Sequence, residues 1–149
     1  MKSTANFYSL NRNHNLDLCI CSFVKLLYKE ENKIIVISSD HKIEKIDKLL
    51  WTFEQNSFLP HNVYKGGDKI DTPILLSTLN DINNIEIFGE YKSIINNQST
   101  ALLKMAGDIN IYEFVEDDET NKSISRNKYS DYKKYNFTLL HKTYDEQAI

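Results

Sequence analysis

Residues 33–53, KIIVISSDHKIEKIDKLLWTF, decide the fold of this 149-residue chain. Lys33–Ser38 contains the continuous β-branched run Ile34–Ile37, which is typical of a strand buried on both faces of a parallel sheet. Ser39 and Asp40 then predict the N-terminus of a helix. Apolar residues recur at helical spacing after that point, at Ile43, Ile46, Leu49, Leu50 and Phe53. A buried strand that leads directly into an amphipathic helix indicates an α/β protein.

The only tryptophan, Trp51, lies outside that apolar stripe. At about 100° per residue it falls roughly 150° from the centre of the stripe, beside Glu44 and Asp47. Phe58 follows just before Leu59-Pro60, and this proline places Phe58 in extended or turn backbone. Two large aromatic residues near an element boundary indicate a protein-binding surface. The alternative is that the helix ends before Trp51 and the ring folds back into the core.

The flanking segments continue the alternation of strands and helices. We predict strands at 5–10, 73–76, 85–88, 109–115 and 137–144, helices at 16–31, 99–106 and from the acidic run 116–119 onward, and a polar loop at 62–71. This succession predicts one three-layer α/β/α domain, residues 1–149, around an open and mostly parallel sheet. Residues 145–149 are expected to be a frayed tail.

Composition and motifs exclude several function classes. The net charge of −3 argues against broad nucleic-acid binding, which relies on many phosphate contacts. The Rossmann-like succession lacks a nucleotide fingerprint, since the first strand–helix turn, SLNRNHN, has no glycine. Cys19 and Cys21 are predicted to be reduced core thiols. We therefore expect no catalytic residue, no cofactor and no metal site, and the lack of a long apolar run predicts a cytoplasmic protein without a membrane segment.

The last helix carries a basic stripe. Lys122, Arg126, Tyr129 and Lys133 are spaced i, i+4, i+7 and i+11, within a sector of about 60°. An arginine can bind a carboxylate through two hydrogen bonds, and a neighbouring tyrosine offers packing area. The stripe is either a solvated helix face or a groove for an acidic ligand with an apolar anchor. Lys128 falls on the sheet side of this helix, with Tyr132 and Tyr135, and is expected to extend towards solvent.

Two blocks carry a resemblance to a known family. The run KIIVISSDHKIEKIDKLLWTFEQNSFLPHNV (33–63), followed by Gly66-Gly67, and the run SRNKYSDYKKYNFTLLHK (125–142) resemble the chi subunit of bacterial DNA polymerase III. Residues 75–112 match that family only in the succession of elements. The resemblance implies a non-catalytic accessory subunit that tethers the clamp loader to the acidic C-terminal tail of single-stranded DNA-binding protein. Two other functions stay open, a nucleotide-binding Rossmann-like enzyme and a direct binder of single-stranded nucleic acid.

The resemblance also implies site residues. The positions that contact the tail of single-stranded DNA-binding protein fall on Val115, Lys122, Arg126 and Tyr129. His141 departs from the smaller polar residue that is usual near that tail. The positions that hold the clamp-loader psi subunit, or a competing helicase, fall on Trp51 and Phe58. Because psi occurs in only some bacteria, these two residues are expected to bind psi or another replisome partner.

Overall fold

The protein has a seven-stranded parallel sheet flanked by helices. The structure, a computed structural model, describes residues 3–55, 58–66, 72–82, 90–103 and 108–145. The described strands are β1 (Thr4–Ser9), β2 (Ile34–Ile37), β3 (His61–Val63), β4 (Ile74–Ser77), β5 (Ser93–Asn96), β6 (Asn110–Val115) and β7 (Thr138–Thr143). The described helices are α1 (Leu16–Lys29), α2 (Asp40–Thr52), α3 (Leu79–Ile82) and α4 (Glu119–Lys134). The strand order is β3-β4-β2-β5-β6-β1-β7, and every described pairing is parallel.

The sheet is covered on both faces. All four residues of β2 are buried, and they alternate between two hydrophobic clusters. Ile34 and Val36 pack with residues of α1 and α2, whereas Ile35 and Ile37 belong to the cluster that contains Tyr132 of α4. Because side chains of consecutive strand residues point to opposite faces of the sheet, β2 contributes to both hydrophobic clusters. This arrangement confirms the predicted three-layer α/β/α class and its open sheet.

A buried carboxylate joins the two helices of the first layer. Asp17 of α1 is 4% exposed, and it accepts a hydrogen bond of 3.0 Å from Lys42 Nζ of α2. Lys45 Nζ lies 3.0 Å from its other oxygen. Burial alone raises the pKa of Asp17, but the hydrogen bonds and charges of the two lysines outweigh it and lower the pKa. Cys19 and Cys21 are buried beside this junction in α1 and form no disulfide, as predicted.

The structure corrects several predicted elements. Residues 61–63 form strand β3, so the predicted polar loop at 62–71 is wrong at its start, where β3 pairs with β4 at the sheet edge. Strand β5 was not predicted. The predicted helix at 99–106 is absent over its described part, 99–103, because Leu102 N donates to the hydroxyl of Tyr132 instead of to a preceding carbonyl. The predicted strand at 85–88 lies outside the described residues. The predicted strand at 137–144 is confirmed as β7, which forms one edge of the sheet.

Candidate protein-binding surfaces

The predicted basic stripe lies on one exposed side of α4. Asp118 caps this helix by accepting a hydrogen bond of 2.8 Å from Asn121 N, which fixes where the helical register begins. With that register Lys122, Arg126 and Tyr129 follow one another along the side of α4 that faces the β1–β7 edge of the sheet, where Tyr129 meets Phe7 of β1. The structure therefore brings the three predicted tail-contact residues onto one face. We call this face the α4 surface.

The floor of the α4 surface is aromatic and polar. The Tyr129 ring is 42% exposed and lies 5.5 Å, centroid to centroid, from Phe7. Val115, at the end of β6, is partly buried against the same hydrophobic cluster as Phe7. The His141 side chain lies on this side of the sheet, and its Nε2 is 2.7 Å from the hydroxyl of Ser9. All four predicted contact positions and His141 thus border one region between α4 and the sheet edge.

The cations of the α4 surface differ in their partners. Lys122 Nζ lies 2.8 Å from Asp117 Oδ1, and Arg12 Nε lies 3.6 Å from the other oxygen of that carboxylate. The hydrogen bond from Lys122 lowers the pKa of Asp117, and the same contact raises the pKa of Lys122. Arg126 is exposed, and no described carboxylate forms an ion pair with it. Arg126 is therefore the cation that a carboxylate ligand could bind without displacing an existing partner.

Lys128 is buried, so the prediction that it extends towards solvent is wrong. Its residue surface is 8% exposed, and Nζ donates a hydrogen bond of 2.8 Å to Glu113 Oε1 on β6. Glu113 Oε2 accepts from the Tyr132 hydroxyl at 2.6 Å and from Asn96 Nδ2 at 2.7 Å. Burial raises the pKa of Glu113, although all three partners act to lower it. The network attaches the inner side of α4 to the sheet.

A polar cavity of about 180 Å³ adjoins this network at the carboxyl ends of β5 and β6. Its lining includes Glu113, Lys128, Asn97, Ser125 and Glu116. The prediction that Tyr135 faces the sheet is also wrong, because its residue surface is 61% exposed. α4 ends at Lys134, and Tyr135 follows it as the capping residue.

Trp51 and Phe58 form a second exposed surface, at the opposite edge of the sheet. They are 53% and 70% exposed, and their ring centroids lie 6.0 Å apart. α2 extends through Trp51 to Thr52, so the alternative in which the helix ends before Trp51 is wrong. The structure brings the two predicted residues together, and we call this pair the Trp51 surface.

His61 supports the Trp51 ring from below. The two ring centroids are 4.4 Å apart, and the His61 side chain is fully buried. Its Nδ1 lies 2.6 Å from the Leu59 carbonyl oxygen, which can only accept, so Nδ1 donates. Its Nε2 lies 3.0 Å from Asp47 Oδ1 without the alignment of a hydrogen bond. These contacts hold the indole in one exposed orientation.

Several amides of the first strand–helix turn already donate to side chains of the same turn. Asn11 N donates to His14 Nδ1, Asn13 N to Asn11 Oδ1, and Leu18 N to the capping oxygen of Asn15. Phosphate sites use such N–H groups at a helix N-terminus. Within the described ranges, no three His, Cys, Asp or Glu side chains gather as metal ligands. None of the described helices is both long and apolar enough to cross a bilayer.

Comparisons with known proteins identify a family and a fold. The family model described as "DNA polymerase III chi subunit, HolC" matches residues 1–140. A DNA polymerase III subunit chi from Haemophilus influenzae is 27% identical over 132 residues, which cover 87% of this chain and 89% of that protein.

Two solved structures are similar at the level of the fold alone. The Escherichia coli DEAD-box protein SrmB bound to regulator of ribonuclease activity A gives a TM-score of 0.57 at 10% identity, with 99% of this chain and 94% of that chain covered. The C-terminal part of the Fun30 ATPase domain gives 0.53 at 12% identity, with 74% of this chain covered. The alignment spans only 44% of that Fun30 chain.

Proposed function

The chain belongs to the chi-subunit family of DNA polymerase III, and from that premise we propose that it tethers the clamp loader to single-stranded DNA-binding protein. In this proposal it is a non-catalytic, cytoplasmic accessory subunit of replication and a single domain over residues 1–149. The α4 surface, with Val115, Lys122, Arg126 and Tyr129, binds the acidic C-terminal tail of single-stranded DNA-binding protein. The Trp51 surface binds the psi subunit or another replisome partner.

One observation carries the proposal, namely the exposed cation of Arg126, which no described carboxylate pairs with, beside an exposed aromatic ring. Arg126 lies one helical turn before Tyr129, whose ring offers an exposed edge next to Phe7. A terminal carboxylate can bind both guanidinium nitrogens, while the preceding aromatic side chain packs on Tyr129. Lys122 already pairs with Asp117, so it contributes a neighbouring positive charge for acidic residues of the tail. Each feature of an acidic peptide that ends in an aromatic residue thus has a chemical counterpart on the α4 surface.

The positions of the two surfaces suit a tether. β3 and β7 are the opposite edges of the seven-stranded sheet, and the Trp51 surface lies beside β3 while the α4 surface lies beside β7. Six strand spacings of about 4.8 Å separate these edges by roughly 29 Å. α2 and α4 also cover opposite faces of the sheet. Two partners can therefore bind at once, and binding of one raises the local concentration of the other.

The test is a titration of the purified protein with a fluorescent acidic peptide that ends in Pro-Phe with a free carboxylate. We expect a dissociation constant in the micromolar range, about −8 kcal/mol, that weakens as salt is added. Arg126→Ala should weaken binding strongly, and amidation of the peptide should weaken binding to the wild type but hardly to Arg126→Ala. Lys134→Ala is the matched control, because Lys134 is exposed on the same helix but lies about 110° from the stripe.

Two results would contradict the proposal. If amidation weakens binding of the wild type and Arg126→Ala equally, Arg126 does not hold the terminal carboxylate. If the unmodified peptide does not bind in low salt, the tethering function itself is wrong. A nucleotide or single-stranded oligonucleotide that raises the melting temperature of the protein would instead support one of the two alternative functions.

A further inference from the structure

An acidic stripe leads along α2 to the Trp51 surface. Asp40, Glu44, Asp47 and Trp51 occupy positions i, i+4, i+7 and i+11, within a sector of about 60°. The core residues of α2 lie on the other side of the helix, at Ile43, Ile46 and Leu50. The carboxylates therefore form one line, exposed at Asp40 and Glu44 and half-buried at Asp47, that ends at the indole. At 1.5 Å per residue, Asp47, Glu44 and Asp40 lie about 6, 10 and 16 Å from Trp51 along the axis.

The stripe forms one wall of an open cleft of about 500 Å³ between α2 and strands β3 and β4. Asp81 of α3 adds a fourth carboxylate from the opposite wall. Among the described residues that line this cleft, Lys65 is the only cation. Lys42 and Lys45 of α2 are held on the far side of the helix by Asp17. Lys48 Nζ lies 3.9 Å from Glu44 Oε1, but both side chains of this pair are largely exposed, so the pair screens the stripe only weakly. The cleft therefore has an excess of negative charge that continues to the exposed aromatic pair.

We infer that the Trp51 surface and this cleft together bind a basic peptide segment of a partner protein, one that carries a large apolar anchor. The anchor packs on Trp51 and Phe58, and the Lys or Arg side chains of the segment lie along Asp47, Glu44 and Asp40. The cations should lie about 6–16 Å to one side of the anchor, which is four to eleven residues in a helix and two to five in an extended segment. The inference rests on the proposed function in that it assigns a chemistry to the partner at the Trp51 surface.

Charge decides between the possible occupants. Phosphates of nucleic acid and anionic lipid headgroups would be repelled by four carboxylates, so neither fits this cleft. A second copy of the chain could offer the basic stripe of α4. However, Lys122 of that stripe already pairs with Asp117, and a head-to-tail contact of this type would propagate into open chains. A basic segment of a different protein meets the charge and the aromatic pair without either difficulty.

The experiment is a selection of random 16-residue peptides displayed on phage, with the full-length protein as the target. Peptides enriched on the wild type but not on Trp51→Ala define what the Trp51 surface binds. We expect Lys and Arg to be enriched on one side of a Trp, Phe or Leu anchor, at the spacing given above. The acidic peptide of the tail is titrated in parallel, so that the α4 surface is measured independently in every variant.

The consensus peptide is then titrated against charge variants. Glu44→Gln/Asp81→Asn removes two carboxylates that do not touch His61, and it should weaken binding roughly five- to tenfold. Glu31→Gln/Glu119→Gln is the matched control, because it changes the net charge equally at exposed positions far from the cleft. This control should bind the consensus peptide as the wild type does.

Three outcomes would overturn the inference. The first is Trp51-dependent peptides without a basic excess, and this result would leave the tethering function intact. The second is no Trp51-dependent peptide at all, which would remove the Trp51 surface from the proposed function as well. The third is sedimentation that shows self-association lost in both Trp51→Ala and Arg126→Ala, because the occupant would then be a second copy of the chain.

Discussion

Lys128 and Arg126 lie two residues apart on α4. We expect removal of Lys128 to lower stability but not affinity for the acidic peptide, and removal of Arg126 to lower that affinity but not stability. Lys128→Ala leaves Glu113, which is 2% exposed, without its cation. Removing one partner of a buried ion pair typically costs about 3–5 kcal/mol of unfolding free energy. Arg126 is exposed and has no described ion pair, so Arg126→Ala should change stability by no more than about 0.5 kcal/mol.

The pH dependence of the Lys128→Ala effect follows from Glu113. Without Lys128 the protein can escape the buried charge by protonating Glu113. Protonation of a glutamate whose unfolded-state pKa is about 4.3 costs roughly 1.36 kcal/mol for each pH unit above that pKa. The cost is therefore about 3.7 kcal/mol at pH 7 and about 1 kcal/mol at pH 5. The folded variant has a raised pKa at Glu113, so stability is present at low pH and is lost as pH rises towards that pKa. The destabilisation by Lys128→Ala should therefore shrink between pH 7 and pH 5, by at most about 3 kcal/mol, because burial also raises the pKa of Glu113 in the wild type.

Urea unfolding followed by circular dichroism measures this prediction, with titration of the acidic peptide on the same samples. With a slope of about 2 kcal/mol per molar, Lys128→Ala should lower the midpoint by roughly 2 M at pH 7. The folded variant should bind the peptide as the wild type does, whereas Arg126→Ala should show the reverse pattern. A midpoint that moves by less than about 0.3 M at pH 7 would mean that Glu113 is already neutral in the wild type and that the reasoning from an ion pair is wrong.

Three further predictions concern other parts of the molecule. Trp51→Ala/Phe58→Ala should keep the melting temperature within a few degrees of the wild type, because losses of about 3–5 kcal/mol are expected only for buried rings; a collapse of the fold would show that the rings belong to the core. Asp17→Asn should lower the free energy of unfolding by about 1–2 kcal/mol at pH 7. Because the pKa of Asp17 is lowered in the folded state, the wild-type advantage should disappear as pH falls below about 4, and a difference that stays constant with pH in urea melts would refute the assignment. Tyr129→Phe should retain most of the affinity for the acidic peptide and Tyr129→Ala should lose it, since the ring and not the hydroxyl offers packing area; equal affinity of both variants in titrations would remove Tyr129 from the site.

The fold class was predictable because the strongest local signals agree with one another. The run Ile34–Ile37 has no polar residue, which is consistent only with burial on both faces, and Ser39 marks the start of α2 as its N-cap. Asn15 caps α1 in the same way. The position of Trp51 outside the core stripe also followed from helical periodicity alone. Each of these features depends on residues within a few positions of one another.

Apart from Tyr135, which lies just beyond the end of α4, the errors involve partners distant in sequence. β3 begins at His61, and its pairing with β4 is decided by the sheet edge and not by local propensity. Lys128 was expected to extend towards solvent because periodicity cannot show that Glu113, fifteen positions earlier, lies beneath it. Tyr132 likewise takes the Leu102 amide that a helix at 99–106 would have used. The one signal for the buried ion pair in the sequence was a charged residue on the sheet-facing side of α4, because charged residues are rarely buried unless they are paired.

The stripes on α2 and α4 share one spacing and carry opposite charge, and this symmetry bears on how the protein could work as a tether. Each stripe combines charged side chains with an exposed ring, Trp51 on α2 and Tyr129 on α4. A ligand that suits one stripe is repelled by the other, so an acidic tail and a basic segment cannot exchange sites. The two helices pack on opposite faces of one sheet and belong to different hydrophobic clusters. In the proposed tether, occupation of one site would leave the other unobstructed, and the gain in local concentration would come from holding both partners on one protein, without any conformational change.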